Sequence, residues 1–327
     1  MNKLFRNFRS IINFKTIIGL IISIVGIYLA FYDFDISTFL YTVGSIKYEY
    51  VLLACMLLIF SVWLRALRWK LLFKMKDGVN TYSLFQYELI GYFGNNILPL
   101  RLGELLRTYM LGKQYSLPKP YVFGTIVLER ILDTFSLVFL SLLLLIIYPL
   151  NDFIRNYIYL GILISLVILF LLLALNKMNL VKINKGFLSF IARFVDGFKN
   201  IKYKKIPNLS ILSILIWCVY WLDVHLIQAA FGFSMTISHS LLLLVVTTLF
   251  MSIPSAPGMI GTFHLGVKYV MVILFVDSYI FTTSQVASFA IVLHAYGYIS
   301  YTVLGAIYFV RSQFNINAIN EVLIKSE

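Results

Sequence analysis

Six stretches of this chain are apolar almost without interruption: Thr16 to Phe31, Tyr50 to Leu64, Tyr121 to Tyr148, Tyr157 to Leu175, Leu209 to Phe231 and Ser284 to Val310. Runs of this length approach or exceed the roughly 20 residues that an α-helix needs to cross the hydrocarbon core of a bilayer. In lipid every backbone amide must be satisfied within the protein, which restricts a spanning chain to helices or closed barrels. Runs this continuous select helices. The rest of the composition agrees, since 61% of residues are hydrophobic against about 45 to 50% in a soluble domain. Only 13% are charged and the mean hydropathy is +0.89. A water-soluble enzyme is excluded, and the expected class is an all-α polytopic membrane protein with about eight transmembrane or re-entrant elements.

The first run follows Lys3, Arg6, Arg9 and Lys15, as a signal peptide would. It ends in Tyr28-Leu29-Ala30-Phe31-Tyr32, which offers no small-residue cleavage site, so it reads as an uncleaved first span. Cys55 and Cys218 each sit inside an apolar run, with neither metal-ligand nor disulfide spacing.

Two further segments are apolar but broken. Tyr82 to Leu98 is interrupted by Glu88, Gly91, Gly94, Asn95, Asn96 and Pro99, and Arg101 to Leu111 follows as a short amphipathic stretch. Ser240 to Ile253 and Phe263 to Val276 are each too short to cross, and Pro254-Ser-Ala-Pro257-Gly258-Met-Ile-Gly261 separates them. Both read as helical hairpins within the membrane, over residues 82–111 and 240–276.

Lysine and arginine accumulate on the cytoplasmic side of a membrane. With a cytoplasmic N-terminus, the segments assigned inside hold 23 of the 27 Lys and Arg residues, and Lys47 and Arg155 fall outside. Arg65 to Lys76, Arg101 to Lys119 and Lys177 to Lys205 supply most of that count. The tally requires two re-entrant hairpins of opposite orientation, one in each half of a single membrane domain: 1–150 and 151–311, with 312–327 as a short cytoplasmic tail. Paired Gly/Pro-broken segments in corresponding halves point to an inverted-repeat-like transporter with its site near the midplane.

Three clusters carry chemistry. In the first hairpin, Gly94 and Pro99 are expected to break the helix, with Asn95 and Asn96 positioned to satisfy the freed amides or bind a ligand. Beyond them Arg101, Glu104 and Arg107 recur at i, i+3, i+6, on one helical face after Gly103, a suitable place for a lipid phosphate. The second cluster is Glu129-Arg130-Ile-Leu-Asp133, with Glu129 about 12 Å into its span at helical rise. Charges at that depth mark a pathway or an internal pair, and the six charges of the two clusters sum to zero. The third is the Pro254, Pro257, Gly258, Gly261 bend, with His264 and Lys268 on one face of the helix restarting after it, placed to bind an anion or relay a proton.

Asp223, His225 and His294 are lone polar residues within spans, suited to relay or to satisfying neighbouring helices. Asp33 and Asp35 form an Asp-x-Asp after the first span, a pattern that would hold a divalent ion on a sugar phosphate in a polyprenyl-phosphate-dependent glycosyltransferase. Lys177 to Lys205, interleaved with Phe187, Phe190, Phe194 and Phe198, reads as a helix lying on anionic lipid. Neither a nucleotide-binding fingerprint nor a metal-ligand motif is present, so no cofactor, no resident metal and no nucleic-acid partner is expected.

The order Gly94-Asn-Asn-x-x-Pro99-x-Arg101-x-Gly103-Glu104-x-x-Arg107, Glu129-Arg130-x-x-Asp133, Pro254-x-x-Pro257-Gly258-x-x-Gly261 resembles the flippase-like integral membrane family. That family includes the transmembrane region of lysylphosphatidylglycerol synthases, the multiple peptide resistance factors. The resemblance implies an all-helical lipid translocation domain with two re-entrant hairpins, in the cytoplasmic membrane. The expected partners are membrane lipids: an anionic phospholipid, an aminoacyl lipid or a polyprenyl-phosphate carrier; the sequence leaves a homo-dimer open. The chain ends about 16 residues after Arg311, so the synthase domain and its lysyl transfer are expected to be absent. An acidic residue is expected shortly after the second hairpin's glycines, where this chain has His264, a departure that bears on lysyl-lipid selectivity. The expectation is a lipid transporter rather than an enzyme, with no catalytic residue.

Overall fold

The computed structural model describes residues 14–32, 34–98, 101–177, 186–198, 203–275 and 281–324, all helix, turn or connection. The helices are α1 Phe14–Phe31, α2 Ile36–Ser45, α3 Tyr48–Leu72, α4 Thr81–Ile97, α5 Gly103–Gln114, α6 Lys119–Ile147, α7 Asp152–Lys177, α8 Gly186–Phe198, α9 Ile206–Ala230, α10 Ile237–Met251, α11 Thr262–Lys268 and α12 Thr283–Ile324. Among the described residues six helical segments are long and apolar enough to cross a membrane, or seven if the bent pair α1–α2 is one span. The chain is a multi-pass membrane protein.

The starts and stops follow local chemistry. Asn80 caps α4 by accepting from the Tyr82 amide, and Thr236 caps α10 by accepting from His239. Pro120 and Pro207 sit in the first turns of α6 and α9, where a missing amide hydrogen costs nothing. Asp35 caps α2, its carboxylate taking the amides of Ser37 and Thr38 at 3.2 and 2.7 Å. That half of the Asp-x-Asp pattern is thus committed to the backbone, and Asp33 lies outside the described residues.

α3 and α9 form an antiparallel pair over their whole length. Lys47 donates its amide to the Ala230 carbonyl at 2.9 Å at one end, and Lys205 Nζ reaches the Phe73 carbonyl at 3.2 Å at the other. α6 crosses near this pair and receives α8 where Gly124 and Gly197 let the backbones touch. α8 is thus docked on α6 through Phe123 and Phe194 as well as presenting Phe190 outward, so the basic segment is held by the protein at this point.

Two apolar cores result. One gathers Trp69, Leu72, Leu84, Ile90, Leu111 and Ile126 around α3, α4, α5 and α6. The other gathers Leu140, Ile227, Leu241, Val245, Val267 and Phe289 around α6, α9, α10, α11 and α12. On α6, Glu129, Arg130 and Asp133 lie between Leu128 of the first core and Leu140 of the second.

Both broken segments are antiparallel hairpins. In the first, α4 runs unbroken through Gly94 to Ile97, and the chain leaves helical geometry only afterwards. Gly94 therefore serves close packing, since a Cβ there would stand 2.6 Å from the Gly103 Cα. This corrects the expectation that Gly94 breaks the helix; Pro99 lies outside the described residues. In the second, α10 returns through the bend to α11 and a π-helical turn, Tyr269–Leu274, with Gly266 against the Phe250 ring. α1 seals that bend: the Ala256 amide donates to Ser23 Oγ at 2.7 Å, and Gly19, Ser23 and Gly26 form a small-residue seam against Ser255 and Gly261.

Candidate functional site

The sequence-predicted charges converge, but with a different membership. Arg65 and Arg68, assigned to a cytoplasmic segment by the charge tally, lie inside α3 and are buried. Arg65 Nη1 stands 2.9 Å from Asp133 and Arg68 Nη2 stands 2.8 Å from the same carboxylate. Arg107 pairs with Glu88 at 2.6 Å and reaches Glu129 at 3.2 Å, while Arg130 lies 3.4 Å from both Glu104 and Asp133. Four arginines and four carboxylates thus close an electrically neutral network among α3, α4, α5 and α6.

Neutral hydrogen bonds and ring faces hold the guanidiniums in place. Tyr220 on α9 accepts from Arg65 Nε at 2.7 Å, Ser213 accepts from Arg68 at 3.1 Å, and the Arg107 guanidinium lies over the Trp69 ring at 4.6 Å. The Trp69 indole N–H donates to Thr125 at 2.9 Å. Glu129 is wholly buried, and among the described residues neither of its oxygens receives a well-directed hydrogen bond, although Arg107 stands beside it. Its charge is compensated while its lone pairs are not, a state it shares with Glu88 Oε1 and Asp133 Oδ1.

Burial is uneven. Arg68 and Glu129 have side chains 0% exposed, whereas Arg130 is 39% and Glu104 25% exposed. The network therefore has a closed side at Arg68 and an open edge at Arg130–Glu104.

Arg101 stands outside the network. It precedes α5 with a φ of 56°, so the expected single face of Arg101, Glu104 and Arg107 does not form. Its Nη2 donates to the Met251 carbonyl at the end of α10, joining the tips of the two hairpins. Among the described residues it makes no ion pair, although Glu104 and Arg130 act on it electrostatically. Asn95 and Asn96 are also occupied: Asn95 accepts from the Gly103 amide at 3.0 Å, and Asn96 donates to Thr302 on α12 at 2.9 Å.

The second bend meets the same region. His294 on α12 bonds the Gly258 carbonyl at 2.8 Å, Tyr298 donates to the Asn96 carbonyl at 3.3 Å, and the His264 and His294 rings stand 4.9 Å apart. Lys268 points away from this point and donates to the Leu29 carbonyl of α1 at 2.7 Å. Pro254 and Pro257 stiffen the chain between α10 and α11. His225 is tied to Ser240 and Gln228 at 3.0 and 2.7 Å, and so clamps α9 to α10.

Sequence reasoning missed Arg65, Arg68 and Glu88 as members of the site. A signal existed for each: two arginines one turn apart continuing an apolar run, and a lone acid within an apolar segment. No group of histidines, cysteines and carboxylates among the described residues is arranged to hold a metal ion.

Residues 16–305, which contain both hairpins and the network, match the family described as the lysylphosphatidylglycerol synthase TM region. A UPF0104 membrane protein of Methanocaldococcus jannaschii is 33% identical over 155 residues, 45% of this chain and 45% of that protein. A second from the same organism is 25% identical over 231 residues, 68% of this chain and 96% of its own length. One from Methanothermobacter thermautotrophicus is 27% identical over 242 residues, 65% of this chain and 72% of that protein. The match thus spans less than half the length of the first of these relatives. No solved structure matches the chain.

Proposed function

We propose a function from one premise: this chain belongs to the family of the lysylphosphatidylglycerol synthase TM region. It is a lipid transporter that carries a phosphate-bearing lipid between the leaflets of the cytoplasmic membrane, with both hairpins re-entrant and both termini cytoplasmic. The observation that carries this reading is Arg101, an arginine that makes no ion pair among the described residues beside a network that is already neutral. An uncompensated guanidinium at membrane depth is costly. An anionic headgroup entering at the open edge relieves that cost, and a guanidinium binds phosphate oxygens in paired, charge-assisted bonds.

In this mechanism the lipid phosphate lies between Arg101 and Arg130, displacing the Arg101 bond to the Met251 carbonyl. Glu104 balances Arg130 or meets a cationic headgroup, and the acyl chains stay in the bilayer. Losing the Arg101–Met251 bond frees the hairpin tips from one another, which couples headgroup binding to opening. Glu129, buried behind this edge, holds Arg107 and thereby keeps α4, α5 and α6 in register.

The test is leaflet exchange of fluorescent phosphatidylglycerol, aminoacyl lipid and polyprenyl phosphate in liposomes, comparing wild type with Arg101→Ala and with an Asp33→Asn/Asp35→Asn pair. Exchange by wild type and by the aspartate pair, lost in Arg101→Ala, is the expected result. Exchange that survives Arg101→Ala overturns the assigned headgroup site. Sugar transfer abolished in the aspartate pair overturns transport in favour of glycosyl transfer.

A further inference from the structure

Asp223 lies on α9, about 10 Å from its Ala230 end at helical rise, and is 0% exposed. Among the described residues neither carboxylate oxygen has a hydrogen-bond partner. The arrangement differs from the charged network, where every carboxylate has an arginine.

The polar groups on α9 and on the helices packed against it are engaged elsewhere or linked to Asp223 as follows. On α9 itself, Tyr220 is engaged with Arg65. From α12, Tyr296 is electrostatically linked to Asp223, to Tyr220 and to Cys55 of α3. From α6, Asp133 is held by Arg65 and Arg68. From α10, Ser240 is bound to Gln228 and His225. Among the described residues no lysine or arginine pairs with Asp223, and its side chain is 0% exposed. An isolated ionised carboxylate in an apolar core is too costly to persist, and such a group takes up a proton instead.

We propose that Asp223 is a proton-binding site that couples the conformational change of this chain to the proton gradient. The proposal rests on the transport reading for its physiological use, and on the unpartnered carboxyl for its chemistry. A proton from the aqueous phase neutralises the carboxylate and lets the helices close around it, as here. Release of the proton restores a charge that the present packing leaves unpaired, and so favours an arrangement in which water or Arg65 reaches the group. Tyr220, one turn from Asp223 on α9, bonds Arg65, and Arg65 shares Asp133 with Arg130, so a chain of contacts links the proton site to the headgroup site.

The experiment has two arms on the full chain in vesicles of phosphatidylglycerol and phosphatidylethanolamine. The first is infrared titration of wild type, Asp223→Asn and Asp223→Glu. A protonated-carboxyl carbonyl signal at neutral pH, missing in Asp223→Asn and shifted in Asp223→Glu, is expected; coincident wild-type and Asp223→Asn spectra overturn the proposal. The second measures lipid distribution under an imposed pH gradient with the membrane potential clamped at zero. One proton per lipid makes one pH unit worth about a tenfold bias. Wild type is expected to reverse its bias with the sign of the gradient, and Asp223→Asn to ignore it. A wild type indifferent to the gradient overturns the coupling, whereas a wild type with no exchange at all overturns the transport reading and leaves the infrared arm to decide on Asp223.

Discussion

Arg107 Nη1 stands 2.6 Å from Glu88 Oε1, joining the two arms of the first hairpin, and on its other side Arg107 reaches Glu129 of α6 at 3.2 Å. One buried side chain therefore holds three helices, with its guanidinium over the Trp69 ring. Removing one partner of a buried pair leaves a charge without compensation. Arg107→Leu is expected to destabilise the protein by about 3 to 5 kcal/mol, read as a fall in thermal unfolding temperature in detergent. Adding Glu88→Gln and Glu129→Gln to Arg107→Leu should restore much of that loss; a triple variant no more stable than the single one would contradict the charge argument.

Arg101 should behave in the opposite way. Its left-handed φ of 56° is strained for a side chain with a Cβ, and its side chain donates to a carbonyl at an exposed position. Arg101→Gly is expected to lie within about 1 kcal/mol of wild type in stability, while lipid exchange falls at least about tenfold, the cost of one lost charge-assisted contact. Unfolding curves and exchange rates on the same preparation separate the two effects.

Gly261 combines a φ of 94° with a position where a Cβ would run into the Ser23 carbonyl of α1. Gly261→Ala is expected to cost about 1 to 3 kcal/mol. Gly44, with nothing within 4 Å, is the control, and its replacement by alanine in α2 should be neutral or stabilising by under about 1 kcal/mol. Equal stability of the two variants in thermal unfolding would mean that α1 does not seat on the bend.

Lys268 fastens the same joint from the other side, through the Leu29 carbonyl at 2.7 Å. Lys268→Met keeps the aliphatic stem and removes the donor. Faster amide exchange in the last turn of α1, with α9 unchanged, is the expected readout, because a charged donor to a carbonyl contributes about 1.5 to 3 kcal/mol.

The helical class was legible because span length depends on local composition alone. The runs at Tyr121 to Tyr148 and Leu209 to Phe231 coincide with α6 and α9 to within a few residues, and the breaks near Leu98 and Pro254 announced two hairpins. Glu129 and Asp133 also stood out, since an acid in an apolar run is conspicuous without any structure. What escaped was partnership. Arg65 and Arg68 sit near the end of a run, where a snorkelling cation and a buried one have the same sequence, and Glu88 was read as an interruption.

Sequence by itself determined the solvent of this protein, its helices and the places where they break, because each depends on residues near one another in the chain. Tertiary structure decided which charges face which. It drew Arg107 inward against Glu88 and Glu129, left Arg101 outside, packed a glycine seam of α1 onto the second bend, and buried Asp223 on α9 with no donor among the described residues. The physical reason is range: helix formation is settled within a turn or two, whereas the cost of a buried charge depends on every atom around it, and those atoms come from helices far apart in sequence.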